Sequence, residues 1–374
     1  MFHNCKRVNI YICSMNDLNI EQLEAWYKQG FEDRLQGKRI VFKDIAPLIQ
    51  NLDKSTFRKE LLGLSEGGES IFKLSIGTGA KKILIWSQMH GNESTGTKAV
   101  FDLFNFFNNS NEFEQLKQEI LSTCTLVFVP MLNPDGSDVF TRVNKNSVDL
   151  NRDAVALQAK ESKLLRELLD TFSPDFCFNL HDQRTIFNVE HTKNPATISF
   201  LAPSEEVERK LTKGRMETMS VIVAMNSFLS KAIPNHTGRY TDEFYPTATG
   251  DNFQKLGHNT ILIEAGHYYD DYDRDVVRKF NFFTLIEGLR FIASTDDYSN
   301  YKPYFDIPNN AKMCYDIIYR NVMSNEGVVE DIAYQYEYRV NNDSLESFTT
   351  EVARGDLSEF TAHKEYDFEK KKLK

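Results

Sequence analysis

Four short, unbroken apolar runs constrain this chain more than any other feature. They are ILIW at 83–86, LVFV at 126–129, FCF at 176–178 and ILI at 261–263. Successive side chains of a strand point to opposite faces, so a run that is apolar at every position suits a strand covered on both sides. Between and after the runs lie segments with helical apolar spacing. These are STGTKAVFDLFNFF, ESKLLRELLDTF, a long stretch from 206 to 233, and VVRKFNFFTLIEGLRFIAS near the end of the series. Strand and helix in alternation predict an α/β sheet with helices on both faces.

The flanks read differently. Residues 17–60 are charged and of helical character, with Asp17 as N-cap of the first helix and DKSTFRKELLGL as a later helical piece. Glycines at 63, 67, 68, 77 and 79 then punctuate short strands. After residue 298 the texture turns to β, in AKMCYDIIYRNV, GVVEDIAYQYEYRV and ESFTTEVARG, with turns at 325–327 and 341–343 and a Lys-rich tail. The expected division is a lead-in at 1–64, a catalytic core at 65–298 and a small β-rich segment at 299–374.

With 374 residues, 41% of them hydrophobic, the chain can hold one large packed domain or two smaller ones. A net charge of −10 argues against nucleic acid and anionic membranes as partners, because both need a basic footprint. No apolar run approaches the roughly 18–20 residues that span a bilayer. The first fifteen residues lack the apolar core and cleavage site of a signal peptide. The five cysteines are odd in number and scattered, without a CxxC pair. That pattern suits reduced thiols, and the expected location is the cytoplasm.

Three of the four runs end on residues foreign to a core. The first leads into His90 and Glu93, the third into His181 and Asp182, and the fourth into Glu264. Ligands bind beyond the carboxyl ends of the strands in open α/β sheets, so these side chains are expected to meet there. Two imidazoles and a carboxylate suit Zn²⁺ with its fourth position open to water. Gly91 lets His90 and Glu93 turn toward one ion, and His181 is the distant third ligand. Zinc lowers the pKa of bound water and polarises a carbonyl, and Glu264 is the candidate base. The segment 133–154 adds Arg142, Asp149, Asn151 and Arg152. An Arg beside an Asn suits a carboxylate, and an Asp suits the outer nitrogen of a metal-bound His. Each signal alone has a plain alternative: a chance His-x-x-Glu, a paired Glu at the core's rim, a solvated charged turn.

In that order, HGNE, NPDG followed by R and VDLNR, NLH and ILIEAG resemble the motifs of the zinc carboxypeptidases of the carboxypeptidase A/B type. The resemblance covers roughly residues 65–295. It implies a mixed, mostly parallel eight-stranded sheet between helices and one zinc per chain on His90, Glu93 and His181. It further implies Glu264 as general base, Arg142 on the developing oxyanion, Asn151 and Arg152 on a terminal carboxylate, and Asp149 behind His90. The family's mobile tyrosine corresponds to Tyr240 or Tyr245, with Tyr240 preferred because it follows a turn at Gly238. Specificity is expected near Thr249, Gly250 and Asp251. The implied substrate is a peptide, or a peptidoglycan-type peptide, with a free carboxylate. A deacylase of N-acyl amino acids similar to the aspartoacylases, and a non-catalytic binding module on the same fold, are the competing readings. Oligomeric state is not legible.

Overall fold

The computed structural model describes residues 18–371. The strands are β1 (Arg58–Leu64), β2 (Ser70–Ile76), β3 (Lys81–Trp86), β4 (Cys124–Val129), β5 (Phe176–Asp182), β6 (Phe187–Val189), β7 (Ile198–Leu201), β8 (Thr237–Arg239), β9 (Asn259–Ala265), β10 (Asn310–Lys312), β11 (Cys314–Met323), β12 (Val329–Asn341), β13 (Ser344–Gly355) and β14 (Thr361–Asp367). The helices are α1 (Ile20–Gly30), α2 (Phe42–Asn51), α3 (Thr95–Asn108), α4 (Glu114–Thr123), α5 (Pro134–Asp138), α6 (Lys160–Phe172), α7 (Lys213–Leu229), α8 (Thr249–Lys255) and α9 (Asp275–Ser294).

The main sheet has eight strands in the order β1-β2-β4-β3-β5-β9-β7-β8. Its centre, β4-β3-β5-β9, is parallel throughout and consists of the four apolar runs. Antiparallel pairing begins at β2 on one side and at β7 on the other. The expected mixed, mostly parallel sheet is therefore present. One face packs on α3, α7 and α9 through a large cluster that includes Phe104, Phe128, Phe178, Met225 and Phe282. The other face packs on α6, where Leu84 and Trp86 meet Leu165 and Leu169. Each such large apolar side chain contributes about 1.5–3 kcal/mol on burial, which is why both faces of the central strands are apolar.

Several local expectations are corrected. DKSTFRKELLGL holds no helix, because residues 58–64 form β1, hydrogen-bonded antiparallel to β2 with a bulge between Leu61 and Gly63. Tertiary pairing overrides the helical preference of Lys, Glu and Leu here. The long helix expected from 206 begins only at Lys213, where the Thr212 side chain accepts the Arg215 N–H and caps the first turn. Asp17, Cys5, Cys13 and the rest of the first 17 residues lie outside the described residues, and α1 is capped by Asn19, which accepts from Gln22 N. The turn at Asn133-Pro134-Asp135-Gly136 runs on into α5, with Asn133 accepting the Gly136 N–H.

The β texture after 298 gives a four-stranded sheet ordered β13-β12-β11-β14, plus β10, which pairs antiparallel with β6. Asn342 and Asp343 both take positive φ (47° and 66°) at the β12–β13 turn, a left-handed pair that suits a two-residue hairpin. Among the described residues no helix is long and apolar enough to cross a membrane. Cys124, Cys177 and Cys314 are free and buried.

Candidate active site

The loop that carries the first two candidate ligands leaves β3 at Trp86 and turns through Gln88, which takes a left-handed φ of 51°. Gln88 Nε2 donates to the Ile40 and Gly91 carbonyls at 2.8 Å each and holds the loop to the core. Gly91 does not act as the expected hinge, since its φ is not left-handed. It permits close approach instead: a Cβ there would lie 2.0 Å from Gly136 C and 2.2 Å from Ser137 N.

His90, Glu93 and His181 converge, each offering one ligand atom, with all three atoms within 4.8 Å of one another. His90 Nδ1 is 2.8 Å from Glu93 Oε1, His181 Nδ1 is 2.9 Å from Glu93 Oε2, and the two Nδ1 atoms are 3.2 Å apart. The three residues are buried. His90 Nε2 faces Asp149 Oδ1 at 3.1 Å, an acceptor that favours a proton on Nε2, while Nδ1 faces the cluster. Two imidazole nitrogens converging on one carboxylate form a donor set that fits zinc. The cation facing them in the structure is the Arg142 guanidinium, whose Nη1 lies 3.2 Å from His90 Nδ1 and 3.5 Å from Glu93 Oε1. Burial opposes charge on His90, but Glu93 and the hydrogen bonds from Asp149 and Glu93 outweigh it and raise its pKa. Burial lowers that of His181. The outer nitrogen of His181, Nε2, is buried without a hydrogen-bond partner.

Asp149 ties the site together. Its second oxygen accepts Arg142 Nε at 2.8 Å, and Oδ1 also accepts the Asn151 N–H at 3.0 Å, capping a 3₁₀ turn at Leu150–Arg152. That turn presents Asn151 and Arg152. The Asn151 amide oxygen accepts the Thr249 N–H at the start of α8, which leaves its Nδ2 as the group free to donate.

Glu264 sits beside His181 in register across β5 and β9. Burial, and then the charges of Glu93 and Asp182, hold its carboxyl well above the usual range. It lines a cleft of about 360 Å³ together with Asn151, Arg152, Tyr240 and Tyr245, and Gly250 and Asp251 line the same cleft. Tyr240 is held at the end of β8 by the Phe200 carbonyl, and its phenol is raised by burial and by Glu264. Tyr245 is 46% exposed on the loop between β8 and α8, and its ring lies 5.5 Å from the Arg152 guanidinium. Both tyrosines thus reach one cleft.

Sequence reasoning missed the contribution of the last segment. Asn310 and Lys312, on β10, line the cleft that holds Glu264. A second cleft of about 490 Å³ borders Glu93 and Asp182 and is walled by Asp316, Tyr336 and Tyr338 from the C-terminal sheet, with Lys38 from the lead-in. No motif marks these residues; the place of Asn310 and Lys312 depends on the β6–β10 pairing, a contact between segments more than a hundred residues apart.

A family model described as zinc carboxypeptidase matches residues 48–163. Among curated relatives, a probable carboxypeptidase 2 of Trichophyton verrucosum is 27% identical over 105 residues, 28% of this chain and 20% of the relative. Carboxypeptidase SOL1 of Arabidopsis thaliana is 38% identical over 65 residues, 17% of this chain and 13% of the relative. The chain spans about a fifth of the length of the first curated relatives it matches. Among solved structures, a metallo-carboxypeptidase from Burkholderia cenocepacia superposes with a TM-score of 0.53 at 19% identity, over 67% of each chain. Carboxypeptidase A from Helicoverpa armigera gives 0.55 at 15% identity, over 74% of this chain and 80% of that one. These solved structures share the fold described above, and residues 48–163 match the zinc carboxypeptidase model.

Proposed function

We propose that the protein is a zinc-dependent carboxypeptidase that hydrolyses the amide bond next to a free C-terminal carboxylate, with one zinc per chain. The observation that carries this reading is that Glu264, Asn151 and Arg152 line one cleft beside the three-ligand cluster. His90, Glu93 and His181 would hold the ion, which supplies Lewis acidity and lowers the pKa of water.

The chain's own residues do the rest. Arg152, with two parallel guanidinium donors, and Asn151 Nδ2 grip the terminal carboxylate and set the scissile bond in register. The Glu264 carboxylate takes the proton of the attacking water and passes it to the leaving amine. Its raised pKa suits a group that must hold a proton and then release it. Arg142, 44% exposed and tethered by Asp149 through Nε, is free to carry its Nη atoms to the developing oxyanion. Tyr245, on an exposed loop over Arg152, is the tyrosine best able to close on bound substrate. The cleft beyond Glu93 is lined by Lys38, Asn92, Asp182 and Tyr336, which suits the polar chain of a peptide over an apolar acyl tail.

The test compares peptides ending in a free carboxylate with the same peptides ending in an amide. A charge-assisted hydrogen bond is worth roughly 1.5–3 kcal/mol, about ten- to a hundred-fold in an equilibrium constant. Arg152→Ala should lower kcat/KM by that order for the free acids, with zinc retained, and barely change the already slow amides. Equal cleavage of acids and amides by the unaltered enzyme would refute the exopeptidase reading.

A further inference from the structure

The cleft that holds Glu264 has four charged residues on its walls: Arg152, Asp251, Glu264 and Lys312. On the carboxypeptidase reading, Arg152 is engaged by the terminal carboxylate and Glu264 by the proton of the attacking water. Asp251 is turned inward. It is 5% exposed, and its Oδ1 accepts the Tyr245 N–H at 3.0 Å, so this oxygen serves the backbone of the loop before α8.

Lys312 differs from the other three. It comes from β10, in the C-terminal segment rather than from the main sheet or its helices, and stands opposite Phe187 in the β6–β10 register. Its ammonium lies 5.7 Å from the Phe187 ring centroid. The residue is exposed and makes no ion pair among the described residues. Leu201 and Leu262 supply apolar wall to the same cleft. An uncommitted ammonium beside low-dielectric walls attracts an anion more strongly than one in open water does.

We propose that Lys312 is a specificity-determining residue, and that it makes the cleft select a terminal residue whose side chain carries a carboxylate, as in peptides ending in Glu or Asp. This rests on the carboxypeptidase reading and deepens it by naming the substrate class. The contact is partly open to solvent, so its effect is several-fold and falls as salt rises.

The experiment measures kcat/KM on peptides with one body and a terminal Glu, Gln or Lys, in low and high salt. Glu should exceed Gln by about threefold to tenfold at low salt. Lys312→Met should erase the difference, and Lys312→Glu should turn the preference toward Lys. Matching zinc content and melting temperature would show that both variants fold. A preference of the unaltered enzyme for terminal Lys would assign the pocket to Asp251 and overturn the proposal, as would a Glu preference that survives Lys312→Met. Calorimetric binding of free glutamate against glutamine to the zinc-loaded protein reads the same contact without turnover. If peptides are not cut but glutamate binds more tightly than glutamine through Lys312, the carboxypeptidase reading fails and the charge selection stands. If the two bind equally, the charge selection is wrong whatever the turnover.

Discussion

Asp149 faces two ways, with one oxygen toward His90 Nε2 and the other toward Arg142 Nε. Removing its charge should loosen the metal before it touches the fold. Asp149→Asn is expected to weaken zinc affinity about ten- to a hundred-fold, measured by competition with a chelator, because outer partners of ligating histidines have effects of that size. Glu264→Gln should keep full zinc and lose about 10²–10⁴ in turnover, since an amide cannot take the proton. Near-normal kcat at saturating substrate would remove Glu264 from the mechanism. Asp251 gives a pH test. Burial pushes its carboxyl up to about 6, so the folded state binds this proton more tightly than the unfolded state does. Ionisation therefore costs stability as pH rises from roughly 4 through 6, up to about 3 kcal/mol. Asp251→Asn retains the acceptor for Tyr245 N–H and should gain on the unaltered protein in urea melts above pH 6, with the gain gone below roughly pH 4. The ligands and Glu264 were legible in the sequence because a polar side chain at the end of an apolar strand stands out against its neighbours. Lys312 and Lys38 were not, because an exposed or half-exposed Lys in a β or loop segment looks the same whether it faces water or a cleft.

At the scale of elements, the ligand loop and α5 are pressed together without room for a side chain at Gly91. Gly91→Ala must move backbone against backbone, and the displaced atoms are one and two residues from His90 and Glu93. The expected outcome is a joint loss of zinc and of several degrees in melting temperature, read by metal analysis and by thermal unfolding. A variant that binds zinc normally would show that the loop has slack. The four central strands were legible because burial on both faces leaves a continuous apolar run. β1 was not, since an edge strand with Leu61 and Leu64 exposed at 56% and 48% lacks the alternation that marks a half-buried strand. The true start of α7 turns on one hydroxyl, Thr212 Oγ1, that caps at Arg215 N. Propensity summed over a window is blind to such a contact.

At the scale of the whole molecule, a buried ion pair of the core holds the lead-in through its remaining hydrogen bonds. Asp102 on α3 takes Arg278 of α9 through both oxygens, with Tyr27 Oη and the Glu32 N–H completing its shell at 3.0 and 2.8 Å. Arg278 also donates to the Leu35 and Glu32 carbonyls. Both charged groups are essentially inaccessible to water. Asp102→Ala would strand the guanidinium and should cost about 3–5 kcal/mol of unfolding free energy in denaturant melts. The pair shares no residue with the ligand cluster, so zinc content of the folded fraction should not change.

The pairing of β10 with β6 also orders events in time. A ribosome releases this chain from one end, so His90 and Glu93 emerge first, His181 next, and Glu264 well after them. β10, which lines the cleft, and the sheet that walls its neighbour follow Glu264 in the chain. A nascent chain therefore acquires its candidate metal ligands before Glu264, and Glu264 before the β10 wall of the cleft. On the proposed reading, a chain halted before residue 310 would hold the three candidate ligands and Glu264 yet lack Asn310 and Lys312 of the cleft wall, and so would lack the charge that selects its substrate.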